Sequence, residues 1–139
     1  MALVLGLGCR QGCSLDELAQ LALAVLQEAR CDRTALTALA TVAGRLEERG
    51  LRALAQHWQL PLHGFTAERL AQERGITAAS DLVSQHTGSP SVAEAAALAA
   101  AGEGARLLVS KRKSAAATAA LAYAWATSSP SAPLTRART

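Results

Sequence analysis

Two hydrophobic rhythms run along this chain. Leu3 to Leu7 is an unbroken apolar run closing on Gly6-Leu7-Gly8, which predicts a buried strand followed by a loop to Cys13. Ser14 with Glu17 then spells a capping box, and Leu15, Leu18, Ala19, Ala22, Val25, Leu26 and Ala29 recur at helical spacing as a core-facing stripe. Leu36 to Val42 predicts a second strand, and Gly50 to Trp58 a helix burying Leu51, Leu54, Ala55 and Trp58. Leu60 to Phe65 predicts a third strand, with Pro61 allowed only near its start, and Thr66 caps a short helix through Arg74.

The rhythm changes after that. Ser80 caps a short helix to about His86, and Thr87-Gly88-Ser89-Pro90 is a turn. Ser91 with Glu94 makes a second capping box, opening an Ala-rich helix that Gly102 and Gly104 end. Arg106 to Val109 predicts a fourth strand, Ser110 to Ser114 a basic turn, and Thr118 to Trp125 a fifth strand, although the alanines at 115–120 suit a helix equally. From Thr127 the Ser, Thr, Pro and Arg content predicts a disordered tail. The order βαβαβ, helices, ββ predicts one α/β domain over residues 1–126 and a tail over 127–139. Its expected architecture is a three-layer α/β/α sandwich around a mixed, mostly parallel sheet of about five strands.

Composition sharpens this picture. Of 70 apolar residues, 33 are Ala and 22 are Leu, and only Trp58, Phe65, Tyr123 and Trp125 are aromatic. Such a core implies close packing of helices on the sheet and leaves the chemistry to the polar, Gly-rich junctions. The 139 residues suit one domain and leave no room for a separate substrate lid. The net charge of +3 comes without a basic stripe interleaved with aromatics, which argues against nucleic acid as a partner. The start of the chain lacks a basic n-region, and the longest apolar run, about residues 115–126, is shorter than the roughly twenty needed to span a bilayer. Three cysteines argue against a disulfide framework. The expectation is a cytoplasmic protein that does not engage a membrane.

Three segments can carry chemistry. Gly6-Leu7-Gly8-Cys9-Arg10-Gln11-Gly12-Cys13-Ser14 is a strand-to-helix turn whose N–H groups would face an anion at the positive helix end, for about 0.3–1 kcal/mol. Arg10 adds a bidentate donor. The glycine spacing is one residue too long for a dinucleotide fingerprint, and no acid follows the second strand, where Ala43, Gly44 and Arg45 stand. Plain packing of helix on sheet also suits this turn. The thiol pKa of Cys9 should fall beside a helix N-terminus and Arg10, making it a candidate nucleophile, with a small packing residue as the alternative. Gly88, Ser89 and Ser91 form a second helix N-terminus, where Ser91 is first of all a cap worth about 1 kcal/mol. Lys111-Arg112-Lys113 is the dense basic run, which solvation alone also explains. His57, His63 and His86 lack metal-ligand spacing, so neither a metal nor a cofactor is expected, although His63 stands at a strand end within reach of a ligand. Two helix N-termini and one basic segment together suit a polycarboxylate or phosphorylated small molecule.

The placed residues resemble the family formed by the C-terminal domain of cobalt-precorrin-5A hydrolase (CbiG) and the stand-alone CobE proteins. The resemblance rests on Gly6-x-Gly8-Cys9-Arg10-x-Gly12, on Gly88-Ser89-Pro90-Ser91-Val92-Ala93-Glu94-Ala95-Ala96, and on Lys111-x-Lys113-Ser114 followed by Ala117-Thr118. Leu60-Pro61-Leu62 with Phe65-Thr66-Ala67-Glu68 adds a weaker block, and the whole spans about Leu3 to Ala122. It implies cobalamin biosynthesis in the short form associated with the oxygen-dependent route. The expected partner is a precorrin or corrin intermediate, with other cobalamin-pathway enzymes as further partners. Gly8, Cys9, Arg10, Gly12, Gly88, Ser89, Ser91, Lys111 and Lys113 would hold its carboxylates. The alternatives are hydrolysis of a precorrin lactone, with Cys9 as nucleophile or Arg10 as oxyanion stabiliser, and an accessory module that stabilises a pathway enzyme. Gln11, Cys13, Ser110 and Ala115-Ala116 depart from the family's usual Arg, Thr or Ser, Pro and Gly-Asn, which removes polar contacts and weakens a catalytic role more than a binding one.

Overall fold

Alternate residues of the first strand, β1 (Ala2–Cys9), face two different layers. Leu3, Leu5 and Leu7 point one way, toward a core shared with α1 (Leu15–Glu28) and α2 (Arg49–Trp58). Val4, Gly6 and Gly8 point the other way. The computed structural model describes residues 2–73 and 91–124. The expected helix after Ser80, the turn containing Gly88 and Ser89, His86, Trp125 and the tail lie outside the described residues.

The sheet is completed by β2 (Ala38–Val42), β3 (Leu62–Phe65), β4 (Arg106–Lys113) and β5 (Ala117–Ala124), in the order β3-β2-β1-β5-β4. β1 pairs parallel with β2, and β2 with β3, whereas β5 runs antiparallel to both β1 and β4. Four strands therefore point the same way and β5 opposes them, so the sheet is mixed and mostly parallel, as expected. β3 begins two residues later than the pattern suggests. Pro61 has no N–H to give the ladder, and only its carbonyl joins, accepting from Leu39 N at 2.9 Å.

The two faces of the sheet differ in kind. On one, Leu18, Leu21, Val25 and Leu26 of α1 and Leu51, Leu54 and Trp58 of α2 cover Leu3, Leu5, Leu7, Leu39 and Leu121. On the other lies α4 (Val92–Ala101), whose Ala93, Ala95, Ala96, Ala97 and Leu98 are buried against Val4, Ala38, Ala40, Ala122 and Ala124. α3 (Ala67–Ala71), capped by Thr66 as expected, adds Leu70 to this second face. The second face is packed closely because its side chains are methyl groups. A Cβ on Gly6 would overlap the Ala93 carbonyl oxygen and lie 2.8 Å from Ala97 N. Part of the sequence's alanine excess thus serves this close-packed layer.

One element departs from expectation. The basic run is not in a turn: β4 continues through Ser110, Lys111 and Arg112 to Lys113, which pairs with Thr118. β4 is the outer strand of the sheet, where exposed charge is tolerated and discourages pairing with another edge. Its ladder has irregularities between Leu107 and Val109 and between Val109 and Arg112. The ambiguous alanines resolve as strand from Ala117, because both neighbours of β5 supply partners.

Candidate functional site

The carboxyl ends of β1 and β2, the start of α4 and the turn between β4 and β5 surround an open cleft of about 400 Å³. The chain leaves β1 toward β2 on one side and reaches β5 on the other, and in such sheets that crevice is where ligands collect. Gly8, Cys9 and Arg10 line it from β1, Val42 and Arg45 from β2 and the turn after it, Val92 from α4, and residues 113–118 from the β4–β5 side. Arg10, Arg45 and Lys113 bring three cations, and no carboxylate is among the described lining residues.

The pleat sorts the basic run. Arg112 turns to the α1 face, where its Nε and Nη2 each donate to the Glu28 carboxylate at 2.8 Å. Lys113 lines the cleft, whereas the exposed Lys111 does not, and its backbone N–H donates to Glu94 Oε2 at 2.9 Å. Glu94 is 8% exposed, and its other oxygen accepts from Ser91 N at 3.0 Å while Ser91 Oγ accepts from Glu94 N at 3.1 Å. The second capping box is therefore complete, and Ser91 is engaged as a cap rather than lining the cleft. Glu94 also places a carboxylate at the positive end of α4, ahead of any ligand.

The first capping box is only half made. Ser14 Oγ accepts from Glu17 N at 3.1 Å, but the Glu17 carboxylate does not return to the cap. It reaches 99 residues along the chain to accept from Ala116 N at 2.6 Å, and the same oxygen accepts from Ser114 Oγ. These two donors hold the Glu17 carboxyl below its ordinary pKa of 4.5. The N–H groups expected to be open in the β1–α1 turn are largely taken: Arg10 N donates to Ala116 O at 2.8 Å, Gly12 N to Glu48 Oε1 at 3.0 Å, and Cys13 N to Arg10 O at 3.1 Å. Gly12, at φ 83°, belongs instead to a neighbouring hollow beside Glu47 and Glu48. Anion attraction in the main cleft thus falls to side chains more than to backbone.

Cys9 corrects another expectation. Its thiol is pushed up to about 11, by burial first and then by Cys13 and Glu48, with Arg45 opposing. Burial and the nearby Glu17 and Glu48 likewise raise Cys13. The helix N-terminus and Arg10 do not win, because desolvation, Cys13 and the Glu48 carboxylate outweigh them. The raised pKa of Cys9, in the wall of the cleft, disfavours a thiolate nucleophile there.

The structure thus brings together Gly8, Cys9, Arg10 and Lys113 and leaves Gly12, Ser91 and Lys111 beside the cleft. Sequence reasoning passed over Arg45, which stands three residues beyond β2, where the carboxyl-end rule applied to β1 would have found it. Thr118 was noted only as part of a motif. Its Oγ1 would stand 2.7 Å from a Cβ at Gly8, so that glycine preserves room for a hydroxyl in the cleft. His63 is exposed on β3 and does not line the cleft.

Residues 3–122 fit the family model for the cobalamin synthesis G C-terminus, and the chain belongs to that family, a family of cobalamin biosynthesis. Within it the chain is similar to the stand-alone CobE form. Protein CobE of Sinorhizobium sp is 41% identical over 121 residues, covering 86% of this chain and 79% of the relative. The crystal structure of CobE, a protein from the cobalamin (vitamin B12) biosynthetic pathway, superposes with a TM-score of 0.73 at 37% identity, covering 89% of this chain and 91% of that one. Cobalamin biosynthesis protein chiG from Agrobacterium tumefaciens str. C58 follows at a TM-score of 0.68 and 36% identity, covering 88% and 98%. Among the described residues no helix is long and apolar enough to cross a membrane.

Proposed function

We propose that this chain binds a precorrin- or corrin-derived polycarboxylate of the oxygen-dependent cobalamin route, in the cytoplasm, with the cleft beside β1 as its seat. One observation carries the reading: Arg10, Arg45 and Lys113, from three separate segments, converge on a cleft otherwise lined by small and apolar groups. A tetrapyrrole-derived macrocycle carries acetate and propionate arms around an apolar ring, and this lining suits both parts. At about 400 Å³ the cleft takes an edge of the ring with its acid arms and leaves the rest outside. The guanidinium groups suit bidentate contact with carboxylates, and Lys113 acts as a point charge. Each exposed pair contributes about 0.2–1 kcal/mol net, so the ring edge against Val42, Val92 and Ala115 to Ala117 supplies the remainder. Thr118 adds a hydroxyl, and Gly88 and Ser89, which precede α4 in the sequence, are proposed as further contacts. Lys111 adds to the local positive field.

Hydrogenobyrinic acid, titrated with its visible absorption as the signal, tests the reading. Saturable binding by the wild type, clearly weakened in an Arg10→Ala/Lys113→Ala variant, supports it. No spectral response at high micromolar concentration, or equal binding by the variant, overturns it. A lactone hydrolase built on Cys9 is the weaker reading, because the raised pKa leaves too little thiolate.

A further inference from the structure

The Glu17 carboxylate ties the first turn of α1 to the β4–β5 turn, and this tie crosses the cleft wall. The Ala116 peptide is gripped on both sides, its N–H by Glu17 Oε2 at 2.6 Å and its carbonyl by Arg10 N at 2.8 Å. Ser114 N closes the turn on Ala117 O at 2.8 Å, and Ser114 Oγ joins Ala116 N on the same Glu17 oxygen. All residues from 113 to 118 line the cleft. Without Glu17, the three residues between β4 and β5 would keep the Ser114 closure and the Arg10 bond, but lose both side-chain anchors.

We propose that Glu17 is a positioning residue for the cleft: its carboxylate fixes the β4–β5 turn in the shape that presents Lys113 to a ligand. The ligand part of this inference rests on the function proposed above, and the clamp itself does not. The bond is made at the expense of the reciprocal half of the first capping box, which places the turn ahead of the helix end in what Glu17 stabilises. A carboxylate serving only the helix dipole would act through its charge, whereas a clamp acts through one acceptor oxygen. Glutamine keeps that oxygen and removes the charge, so the two roles separate.

Amide hydrogen exchange on the ligand-free protein provides the first readout. Glu17→Ala is expected to speed exchange at Ala116 by about tenfold or more, with core amides of β1 unchanged, while Glu17→Gln stays near wild type. Titration with hydrogenobyrinic acid then shows Glu17→Ala weakened about three- to tenfold and Glu17→Gln restored. Unchanged Ala116 exchange in Glu17→Ala overturns the clamp. Exchange in Glu17→Gln as fast as in Glu17→Ala also overturns a clamp that acts through the acceptor oxygen. If the exchange pattern holds and the wild type gives no response to hydrogenobyrinic acid, the clamp stands and the proposed ligand fails.

Discussion

Replacing Gly6 with alanine places a methyl group where α4 already lies. The added Cβ would overlap the Ala93 carbonyl oxygen, with Ala97 N at 2.8 Å and Ala97 Cβ at 2.9 Å. Two of these three neighbours are backbone, so no rotamer change relieves the clash. The helix cannot simply lift away. Its buried face packs on Val4, Ala38 and Ala40, and Glu94 pins its first turn to Lys111 N. Overpacking of this kind costs about 1–3 kcal/mol, offset in part by about 0.5–1 kcal/mol from removing a strand glycine. A clash with two backbone atoms belongs at the upper end of that range, so the net loss is about 2–2.5 kcal/mol and lowers the melting temperature by roughly 6–12 °C for a domain of this size. Thermal unfolding followed by far-UV circular dichroism measures it, with Gly44→Ala as the control. At Gly44 an added Cβ meets nothing within 4 Å, so that change should be neutral or stabilising by about 0.4–1 kcal/mol. A Gly6→Ala protein that melts with the wild type would refute the close-packed alanine layer. Because Val92 begins α4 and lines the cleft, a destabilised variant should also bind ligand less well.

Two further outcomes separate neighbouring residues that look alike in the sequence or reverse an expectation drawn from it. Arg112→Ala should leave ligand binding unchanged, since its guanidinium faces Glu28, while Lys113→Ala should weaken it; equal losses would contradict the sorting of the basic run by the pleat. In the otherwise unchanged protein, iodoacetamide near pH 8, followed by peptide mapping, should alkylate Cys9 about tenfold more slowly than a thiol at the ordinary 9.0, and a free-thiol rate would contradict its burial. The same thiol gives an alkaline signature. The folded protein holds the Cys9 proton to about 11 and the unfolded chain loses it near 9.0, so this contribution is complete below 9.0 and is lost as pH rises through about 11. Cys9→Ala should therefore lose less stability than wild type across that window, and identical declines would count against the shift.

What was legible in the sequence was local. Leu3, Leu5 and Leu7 announce a strand, and the stripe from Leu15 to Ala29 announces a helix, because burial on one face imposes a period on each. Ser91 and Glu94 make their capping box as read, since both partners lie within one turn. Ser14 and Glu17 show the same local pattern and make only half of it, because the competing partners, Ser114 and Ala116, are distant in sequence and brought beside them only by the pairing of β1 with β5. The run Lys111-Arg112-Lys113 resembles a solvated turn in one dimension, yet on an edge strand its alternate residues serve opposite faces. The lowered thiol pKa expected for Cys9 failed for a related reason. Arg10 and the helix start are close in sequence, whereas Glu48 and the buried surroundings that outweigh them are supplied by the fold. Arg45 was visible all along, but only the shared end of β1 and β2 makes it part of the cleft.

The cleft at the carboxyl end of β1 is proposed to receive a polycarboxylate of the cobalamin pathway. Amide chemical-shift mapping during a titration with hydrogenobyrinic acid distinguishes this cleft from the rest of the surface. The largest perturbations are expected at Gly8 to Arg10, Arg45, Val92 and Lys113 to Thr118, all saturating together. Shifts centred on the hollow beside Gly12 and Glu47, or no shifts at all, would contradict it.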